Sequence, residues 1–199
     1  MSATNVVIIA GGGANIASLQ YALQRLGTTS AVSANARRIR NASHVILPGV
    51  GAAAHAMSRL REQNLDSLIP VLQQPVLGIC LGMQLLFEAS EEGETQCLGM
   101  IPGRAARLPC GSGRPVPHMG WNTLKIDRPG PLLDGLQQDD YAYFVHSYAL
   151  PLGPATTASS HYGLSFSACV QSRNFYGVQF HPERSAKVGA RLLQNFLSL

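Results

Sequence analysis

Cys80 lies in a sequence pattern that suits a catalytic nucleophile. The pattern is Gly78-Ile79-Cys80-Leu81-Gly82, in which a glycine stands two residues before the cysteine and another two residues after it. The apolar run Pro75-Val76-Leu77 predicts a buried strand before it, and the helix formers of Met83 to Glu88 predict a helix after it. A turn from strand to helix at such a residue is the nucleophile elbow G-x-S-x-G, here with sulfur in place of the hydroxyl. Because a helix N-terminus favours the thiolate, the pattern predicts a nucleophile, with a buried core cysteine as the alternative.

His181 is the best placed general base among the six histidines. It follows the strand-like run Gly177 to Phe180 and precedes Pro182, which disfavours helix at the residue before it. Side chains two apart in an extended segment point to the same side, so Glu183 can orient His181 as the carboxylate of a triad does. Taken alone, the pair fits better a strand end beside the start of a helix, where Glu183 merely favours the helix dipole.

Two glycine-rich turns could hold negative charge. Pro48-Gly49-Val50-Gly51 ends a predicted strand, and its small residues leave backbone N–H groups free to form an oxyanion hole or an ordinary turn. Gly11-Gly12-Gly13 also lies between a strand and a helix, but Ile16 occupies the third glycine position of a dinucleotide-binding pattern. A plain tight turn is therefore favoured there over a phosphate-binding loop.

The elements around these motifs alternate between strand and helix, with near-continuous apolar strands. This pattern predicts a three-layer α/β fold, in which a mostly parallel twisted sheet is covered by helices on both faces. A single domain over residues 1–199 is expected, with a small irregular or antiparallel excursion at about 99–140, where Gly, Pro and Arg are frequent. The individual predictions are strands at 5–10, 28–32, 44–47, 76–79, 141–148, 165–171 and 175–180, and helices at 16–26, 52–72 with breaks near Asn64 and Pro70, and 185–199.

Composition narrows the class of protein. The 199 residues are 46% hydrophobic and carry a formal charge of +4, without the basic, aromatic-interleaved stripe of a nucleic-acid-binding protein. The densest cationic group, Arg37-Arg38-Arg40, is interpreted as a solvated surface segment. The four cysteines are widely spaced and show no zinc-ligand pattern, so no metal is expected. No apolar run is long enough for a membrane span and the first ten residues lack a secretory pattern, so a cytoplasmic location is expected.

Together, the motifs resemble those of the class I (triad) glutamine amidotransferases. The elbow sequence through Gln84 and the run Tyr176-Gly177-Val178-Gln179-Phe180-His181-Pro182-Glu183 carry this resemblance. Two further segments, Pro117 to Asn122 and Tyr143 to Tyr148, are similar to those of one branch, the glutaminase subunits of imidazole glycerol phosphate synthase. The opening segment departs from the I-D-Y-G-x-G-N pattern common in that branch, because Ala10 and Gly11 replace its Asp and Tyr, although Asn15 is kept.

The resemblance implies roles for individual residues. Cys80 would attack glutamine, His181 would transfer protons and Glu183 would orient His181, with no cofactor. The ammonia would pass to a separate cyclase subunit in a heterodimer, which makes imidazole glycerol phosphate and aminoimidazole carboxamide ribotide in histidine biosynthesis. The remaining implied roles are an oxyanion hole at Val50, Gly51 and Leu81, a glutamine pocket at Gly49, Gly51, Gln84, Ser147 and Tyr148, and a partner interface at Asn15, His118, Trp121 and Asn122.

Two alternatives remain open beside this hypothesis. One is a glutaminase of the same class that serves a different synthase, and the two branch-type segments weigh against it. The other is a non-catalytic binding module on a similar elbow-bearing sheet. The joint presence of Cys80, His181 and Glu183 weighs against this second alternative.

Overall fold

The computed structural model describes residues 5–10, 16–111 and 113–199. The strands are β1 (Val6–Ile9), β2 (Ser30–Ser33), β3 (His44–Gly49), β4 (Val76–Cys80), β5 (Phe87–Ser90), β6 (Thr95–Gln96), β7 (Ile101–Arg107), β8 (His118–Thr123), β9 (Lys125–Ile126), β10 (Tyr141–His146), β11 (Tyr148–Ala149), β12 (Thr156–His161), β13 (Ser165–Ser172) and β14 (Phe175–Val178). The helices are α1 (Ile16–Arg25), α2 (Ala36–Arg40), α3 (Ala53–Glu62), α4 (Leu65–Leu68), α5 (Leu81–Leu85) and α6 (Ala186–Leu197), with 3-10 turns at Ile69–Val71, Glu92–Glu94, Pro131–Leu133 and Pro182–Arg184.

An eight-stranded sheet in the order β2-β1-β3-β4-β14-β13-β12-β9 forms the centre of the fold. The strands from β2 to β14 run parallel to their neighbours, whereas β13, β12 and β9 extend the sheet antiparallel. The carboxyl ends of β3, β4 and β14 therefore meet at one edge, where open α/β sheets bind ligands. This arrangement confirms the predicted α/β fold with a mostly parallel sheet.

Both faces of β1, β3, β4 and β14 are buried, which explains their mostly apolar sequences, whereas the edge strand β2 is largely exposed. In β1, Val6 and Ile8 pack in one core cluster with Leu23 of α1 and Phe196 of α6. Val7 and Ile9 of the same strand pack in the opposite cluster, which includes residues of α2, α3 and α4. The side chains of β1 alternate between these clusters because a strand has a period of two residues.

Several sequence predictions hold at the level of single turns. The helix predicted from Ile16 ends near Gly27, which adopts a φ of +76°. The helical stretch after Ala52 breaks at Asn64, whose left-handed φ of 55° separates α3 from α4, and a 3-10 turn contains Pro70.

The excursion from the main sheet is larger than predicted. It begins at β5, because α5 ends at Leu85 and the expected helix does not reach Glu88. It contains a four-stranded sheet in the order β11-β7-β5-β6 and a separate antiparallel pair, β8 with β10. The expected run from Tyr141 to Tyr148 is thus divided between two small sheets, while β9 returns to the main sheet by pairing with β12. Among the described residues, no helix is long and apolar enough to cross a bilayer.

Candidate active site

Cys80 occupies a strained turn between β4 and α5. Its φ and ψ are 54° and −113°, an uncommon conformation for a residue with a side chain. A Cβ on Gly82 would collide with the carbonyl oxygen of Leu47, and one on Gly78 would lie 2.6 Å from the carbonyl oxygen of Gly82. Gly82 is therefore needed because it packs directly on β3, and Gly78 is needed because β4 packs against the start of α5. A five-residue α5 follows the cysteine, so the contacts of the sulfur matter more here than the dipole of a long helix.

The sulfur of Cys80 contacts groups from distant parts of the chain. Its Sγ lies 3.6 Å from the carbonyl oxygen of Val145 and 3.7 Å from Nε2 of Gln179. Cys80 is 7% exposed and lines a cavity of about 500 Å³. A buried sulfur with polar neighbours at the wall of a cavity is suited to nucleophilic attack on a bound molecule.

His181 lies just beyond β14 and lines the same cavity as Cys80. The backbone N–H of His181 donates to the carbonyl oxygen of Tyr143 at 2.9 Å, and the backbone carbonyl oxygen of His181 accepts from the hydroxyl of Ser185 at 2.7 Å. Its Nδ1 lies 3.0 Å from Oε1 of Glu183, and the Glu183 side chain is only 5% exposed. His181 is extended, as expected for a residue before proline. The segment does not stay extended, however, because Pro182–Arg184 forms a 3-10 turn, and the side chains of His181 and Glu183 meet across Pro182.

The pKa of His181 reflects opposing causes. Burial disfavours the charged imidazolium, but hydrogen bonds to Cys80 and Glu183 and the negative charge of both raise the pKa to about 10. His181 therefore holds its proton at neutral pH as long as the sulfur and the carboxylate accompany it. The second carboxylate oxygen of Glu183 is buried and has no hydrogen-bond partner among the described residues.

The register of β3 against β4 brings the candidate oxyanion-hole residues beside the nucleophile. Gly49 pairs with Cys80, so Val50 and Gly51 follow at the same edge as Leu81. A Cβ on Gly49 would lie 2.6 Å from the backbone nitrogen of Gly82, which shows how closely the two turns approach. Gly51 has a φ of +86°, which favours glycine.

The predicted glutamine-pocket residues surround the cavity. Gln84, Ser147 and Tyr148 line it together with Val50, Gly51 and Leu81, whereas Gly49 lines a small adjoining space behind His181 and Glu183. Two charged side chains, Glu92 and Arg184, also line the main cavity. One oxygen of Glu92 accepts from the Ala53 N–H at 2.8 Å, so its other oxygen and the Arg184 guanidinium are charged groups that this site offers to a zwitterionic molecule.

Three of the four residues predicted for the partner interface occupy two sides of the β8–β10 pair. Trp121 is 52% exposed and contacts Tyr143 edge to face, with ring centroids 5.8 Å apart. His118 is 3% exposed and points inward, and the amide of Asn122 donates to the His161 carbonyl oxygen and contacts His118. Asn15 and the Gly11-Gly12-Gly13 turn lie outside the described residues.

His118 and His146 form a buried pair close to the active site. Nδ1 of His118 lies 3.0 Å from Nε2 of His146, and His118 stacks on Tyr162 with ring centroids 4.1 Å apart. Burial lowers the pKa of His118 to about 4 and that of His146 to about 3. Both rings are therefore neutral at pH 7.

Sequence reasoning missed three residues of this region. Gln179 contacts the sulfur, Ser185 fastens the backbone of His181 to β10, and His146 lines the cavity. The position of Gln179 could have been found from the predicted strand 175–180, which places residue 179 on the same side as His181 two residues later, although β14 itself ends at Val178. His146 lies in the branch-type segment Tyr143 to Tyr148, but nothing in that segment indicates its partner His118, which lies 28 residues away.

Comparisons with known proteins agree with this geometry. The sequence model of the family described as glutamine amidotransferase class-I matches residues 7–199. The chain is 50% identical over 201 residues to the imidazole glycerol phosphate synthase subunit HisH of Vibrio cholerae, and 98% of each chain is covered. It is 53% identical over 196 residues to the same subunit of Xylella fastidiosa, again with 98% of each chain covered.

Solved structures show the same fold at low sequence identity. A glutamine amidotransferase superimposes with a TM-score of 0.75 at 20% identity, and 97% of each chain is covered. PurLQS from Thermotoga maritima gives a TM-score of 0.74 at 16% identity, with 98% of each chain covered. From its matched sequence, its full-length relatives and its fold, the chain belongs to the class-I glutamine amidotransferases and, within them, to the HisH family of imidazole glycerol phosphate synthase subunits.

Proposed function

We propose that this chain is the glutaminase subunit of an imidazole glycerol phosphate synthase in histidine biosynthesis, with Cys80, His181 and Glu183 as its catalytic triad. The observation that carries the proposal is a cysteine on a strained elbow that shares one cavity with a histidine whose Nδ1 lies 3.0 Å from a buried carboxylate. Glutamine, a zwitterion with a side-chain amide, suits a cavity that offers Glu92 and Arg184 beside the nucleophile.

The reaction begins when Sγ of Cys80, its proton held on His181, attacks the side-chain carbonyl carbon of glutamine. A C–S bond forms and the carbonyl electron pair moves onto oxygen. When that pair returns, the C–N bond breaks and His181 donates its proton to the nitrogen, which leaves as ammonia. Water then attacks the thioester with His181 as base, the C–S bond breaks, and glutamate leaves.

Glu183 and the turn at Val50 and Gly51 support the two charges that develop. The carboxylate of Glu183 fixes Nδ1–H of His181, so that Nε2 remains for the sulfur and the leaving nitrogen. Backbone N–H groups at Gly51 and Leu81 are available for the oxyanion because the β3 and β4 turns lie side by side. One such donor is typically worth about 10²–10³ in rate.

The ammonia is consumed by a cyclase partner that docks on the outer face of the β8–β10 pair. Support comes from Met119, Trp121 and Tyr141, which are 68%, 52% and 58% exposed on neighbouring strands. Large exposed apolar side chains in one patch are typical of protein interfaces. Arg184 joins this face to the catalytic cavity, because its guanidinium lies 4.7 Å from the Tyr143 ring and it also lines the cavity.

We further propose that residues 1–199 form one amidotransferase domain and that the enzyme is cytoplasmic. The family match over residues 7–199 supports the single domain. The four cysteines, all within the described residues, are free thiols, which fits a reducing compartment.

Co-purification with a candidate cyclase tests the function. We expect the isolated chain to release glutamate slowly and the complex with the cyclase and its ribulosyl substrate to release it rapidly. Cys80→Ala should abolish glutamate release but leave the ammonia-dependent reaction of the complex intact, whereas Cys110→Ala, a change at an exposed thiol, should alter neither. Glutamate release that survives Cys80→Ala would contradict the assigned nucleophile.

Trp121→Ala tests the docking face. Truncation of a central interface aromatic costs about 2 kcal/mol or more, so affinity for the cyclase should fall about 30-fold, measured by titration calorimetry. Leu152→Ala, which also removes an exposed apolar side chain at 51% exposure but lies elsewhere, serves as the control. Equal affinities for the two variants would place the partner on another surface.

A further inference from the structure

Gln179 is a fully buried polar side chain beside the nucleophile, and it has no role in the triad mechanism described above. Its exposure is 0%, and it is not among the described residues that line the catalytic cavity. β14 pairs with β4 in parallel register up to Val178 and Ile79, so Gln179 follows at the level of Cys80. A buried amide costs free energy unless its hydrogen bonds are made, so its partners indicate its role.

The amide of Gln179 can have only one orientation, and a backbone carbonyl determines it. Nε2 of Gln84 lies 2.8 Å from the carbonyl oxygen of Tyr148, which can only accept. The NH₂ group of Gln84 must therefore face that oxygen, and its second hydrogen meets Oε1 of Gln179 at 3.0 Å. With its oxygen so engaged, Gln179 presents its NH₂ group to Sγ of Cys80 at 3.7 Å.

The buried histidine pair also donates a hydrogen bond to the Tyr148 carbonyl oxygen, and so confirms that this oxygen acts as an acceptor. Nδ1 of His146 lies 2.9 Å from the Tyr148 carbonyl oxygen, so this nitrogen carries the hydrogen. Nε2 of neutral His146 must then accept from Nδ1 of His118, and Nε2 of His118 accepts from the amide of Asn122. The Tyr148 carbonyl oxygen thus accepts from both Gln84 and His146. Because this oxygen can only accept, neither chain of hydrogen bonds can reverse its direction while the carbonyl remains there.

We propose that Gln179 is a positioning residue of the glutaminase reaction, whose amide donates a hydrogen bond to the Cys80 sulfur and holds it beside His181 after the thiol proton has left. This inference rests on the proposed role of Cys80 as the nucleophile. Hydrogen bonds to charged groups are stronger than neutral ones, so the bond favours the deprotonated sulfur that attacks glutamine.

Alkylation of Cys80 by iodoacetamide tests the proposal without glutamine. Gln179→Glu keeps the shape and the oxygen that meets Gln84 but replaces the donor with a carboxylate, and Gln179→Met removes both polar groups. In a Cys110→Ser background, with Cys80 modification followed by peptide mass spectrometry, we expect about tenfold slower alkylation at pH 7 in both variants. Alkylation needs the thiolate, and pH 10 lies above the usual pKa of about 8.5 for a free thiol, so the rates at pH 10 should agree with wild type within about twofold.

The matched control is Gln74→Met. This change removes one hydrogen bond, which the side-chain amide of Gln74 donates to the Ile39 carbonyl oxygen, at a site remote from the sulfur. It should alkylate at the wild-type rate at both pH values. Unchanged alkylation at pH 7 in the Gln179 variants, or an equal change at both pH values, would overturn the positioning role. The second result would indicate a general structural effect.

Steady-state kinetics of the cyclase complex provide a second measurement. Because Gln179 is not among the residues lining the cavity, kcat should fall about tenfold while KM for glutamine changes less than about twofold. A rise in KM with unchanged kcat would overturn the proposal. If Cys80→Ala kept its glutaminase activity, the proposed function would fail, whereas unchanged kinetics of the Gln179 variants would remove only the positioning role.

If neither variant folds, the wild-type protein allows the same test by NMR. The side-chain amide resonances of Gln179 should move when Cys80 is alkylated, while those of Gln138, which contacts Ile126 far from the sulfur, should stay in place. Gln179 resonances that do not move would show that its amide does not donate to the sulfur.

Discussion

His181 and His146 line the same cavity, yet their pKa values shift in opposite directions. Burial disfavours the charged form of both imidazoles. At His181, the hydrogen bonds and negative charges of Cys80 and Glu183 outweigh this effect of burial, and its pKa is raised to about 10. His146 meets a backbone carbonyl, the neutral ring of His118 and the positive charge of His181, and its pKa is lowered to about 3. Neighbouring anions, and not burial alone, therefore decide which histidine of this cavity carries a proton.

The difference separates two tasks within one site. A charged His181 can deliver a proton to a leaving nitrogen, which the neutral pair of His118 and His146 cannot do at pH 7. The neutral pair instead makes hydrogen bonds of fixed direction toward the Tyr148 carbonyl. The following changes, ordered from the largest expected effect, test this contrast.

Removal of the Glu183 charge should have the largest effect. In Glu183→Gln, His181 loses a charged partner, so its pKa should fall below about 10 and its tautomer should no longer be fixed. Loss of the carboxylate of a triad lowers kcat by about 10²- to 10⁴-fold, measured as glutamate release by the cyclase complex. Glu94→Gln, which removes an exposed carboxylate paired with Arg104, should leave kcat unchanged, and equal rates for both variants would contradict the contrast.

Acid should destabilise the protein through the neutral pair. Because the folded-state pKa values of His118 and His146 lie below the usual 6.5, the unfolded chain binds more protons as the pH falls from about 6.5 toward 4. The free energy of unfolding should therefore decrease by about 1.4 kcal/mol per pH unit for each histidine, measured by urea denaturation. In His118→Gln the slope of the free energy of unfolding against pH should decrease by the equivalent of about one proton, whereas His55→Gln, at an exposed site, should keep the wild-type slope.

His181 should make the opposite contribution on the alkaline side. Its pKa is raised in the folded state, so the stability it contributes is complete below about 6.5 and is lost as the pH rises toward about 10. A free energy of unfolding that does not change with pH in either the acid or the alkaline range would show that neither set of neighbours acts on its histidine.

A new carboxylate beside the neutral pair should move it toward the behaviour of His181. In Asn122→Asp, an oxygen would replace the amide nitrogen that lies 3.3 Å from Nε2 of His118. An adjacent carboxylate raises a histidine pKa by about one unit or more, so the pKa of His118 should rise above about 4 in an NMR titration. Asn41→Asp at the end of α2 is the control, and an unmoved His118 in Asn122→Asp would refute the explanation by neighbouring charge.

Tyr162→Phe should have the smallest effect. The ring that stacks on His118 is retained, and only the hydroxyl that donates to the Pro115 carbonyl oxygen is lost. The free energy of unfolding should change by about 1 kcal/mol or less, and the pKa of His118 should stay near 4. A large rise in that pKa would mean that the hydroxyl, and not the ring, keeps His118 neutral.

Local patterns in the sequence predicted the parallel half of the fold. Apolar β-branched runs identified β1, β3 and β4, and Gly27 and Asn64 identified helix ends because each adopts a left-handed conformation. The strand β12 was not predicted, since its sequence Thr-Thr-Ala-Ser-Ser-His is polar. Its hydroxyls are accommodated by distant partners, such as the carbonyl oxygen of Thr123 for Ser160, and such pairing leaves no periodic signal.

The sequence by itself determined the candidate nucleophile and its base. Gly78 and Gly82 mark the elbow because a Cβ at either position would collide with neighbouring backbone, and the two-residue spacing of His181 and Glu183 lets their side chains meet across Pro182. Only the tertiary structure decided which histidines are charged and which way the amides point. A pKa depends on whatever lies within a few ångströms, and Gln84 meets its partners Tyr148 and Gln179 across 64 and 95 residues of chain.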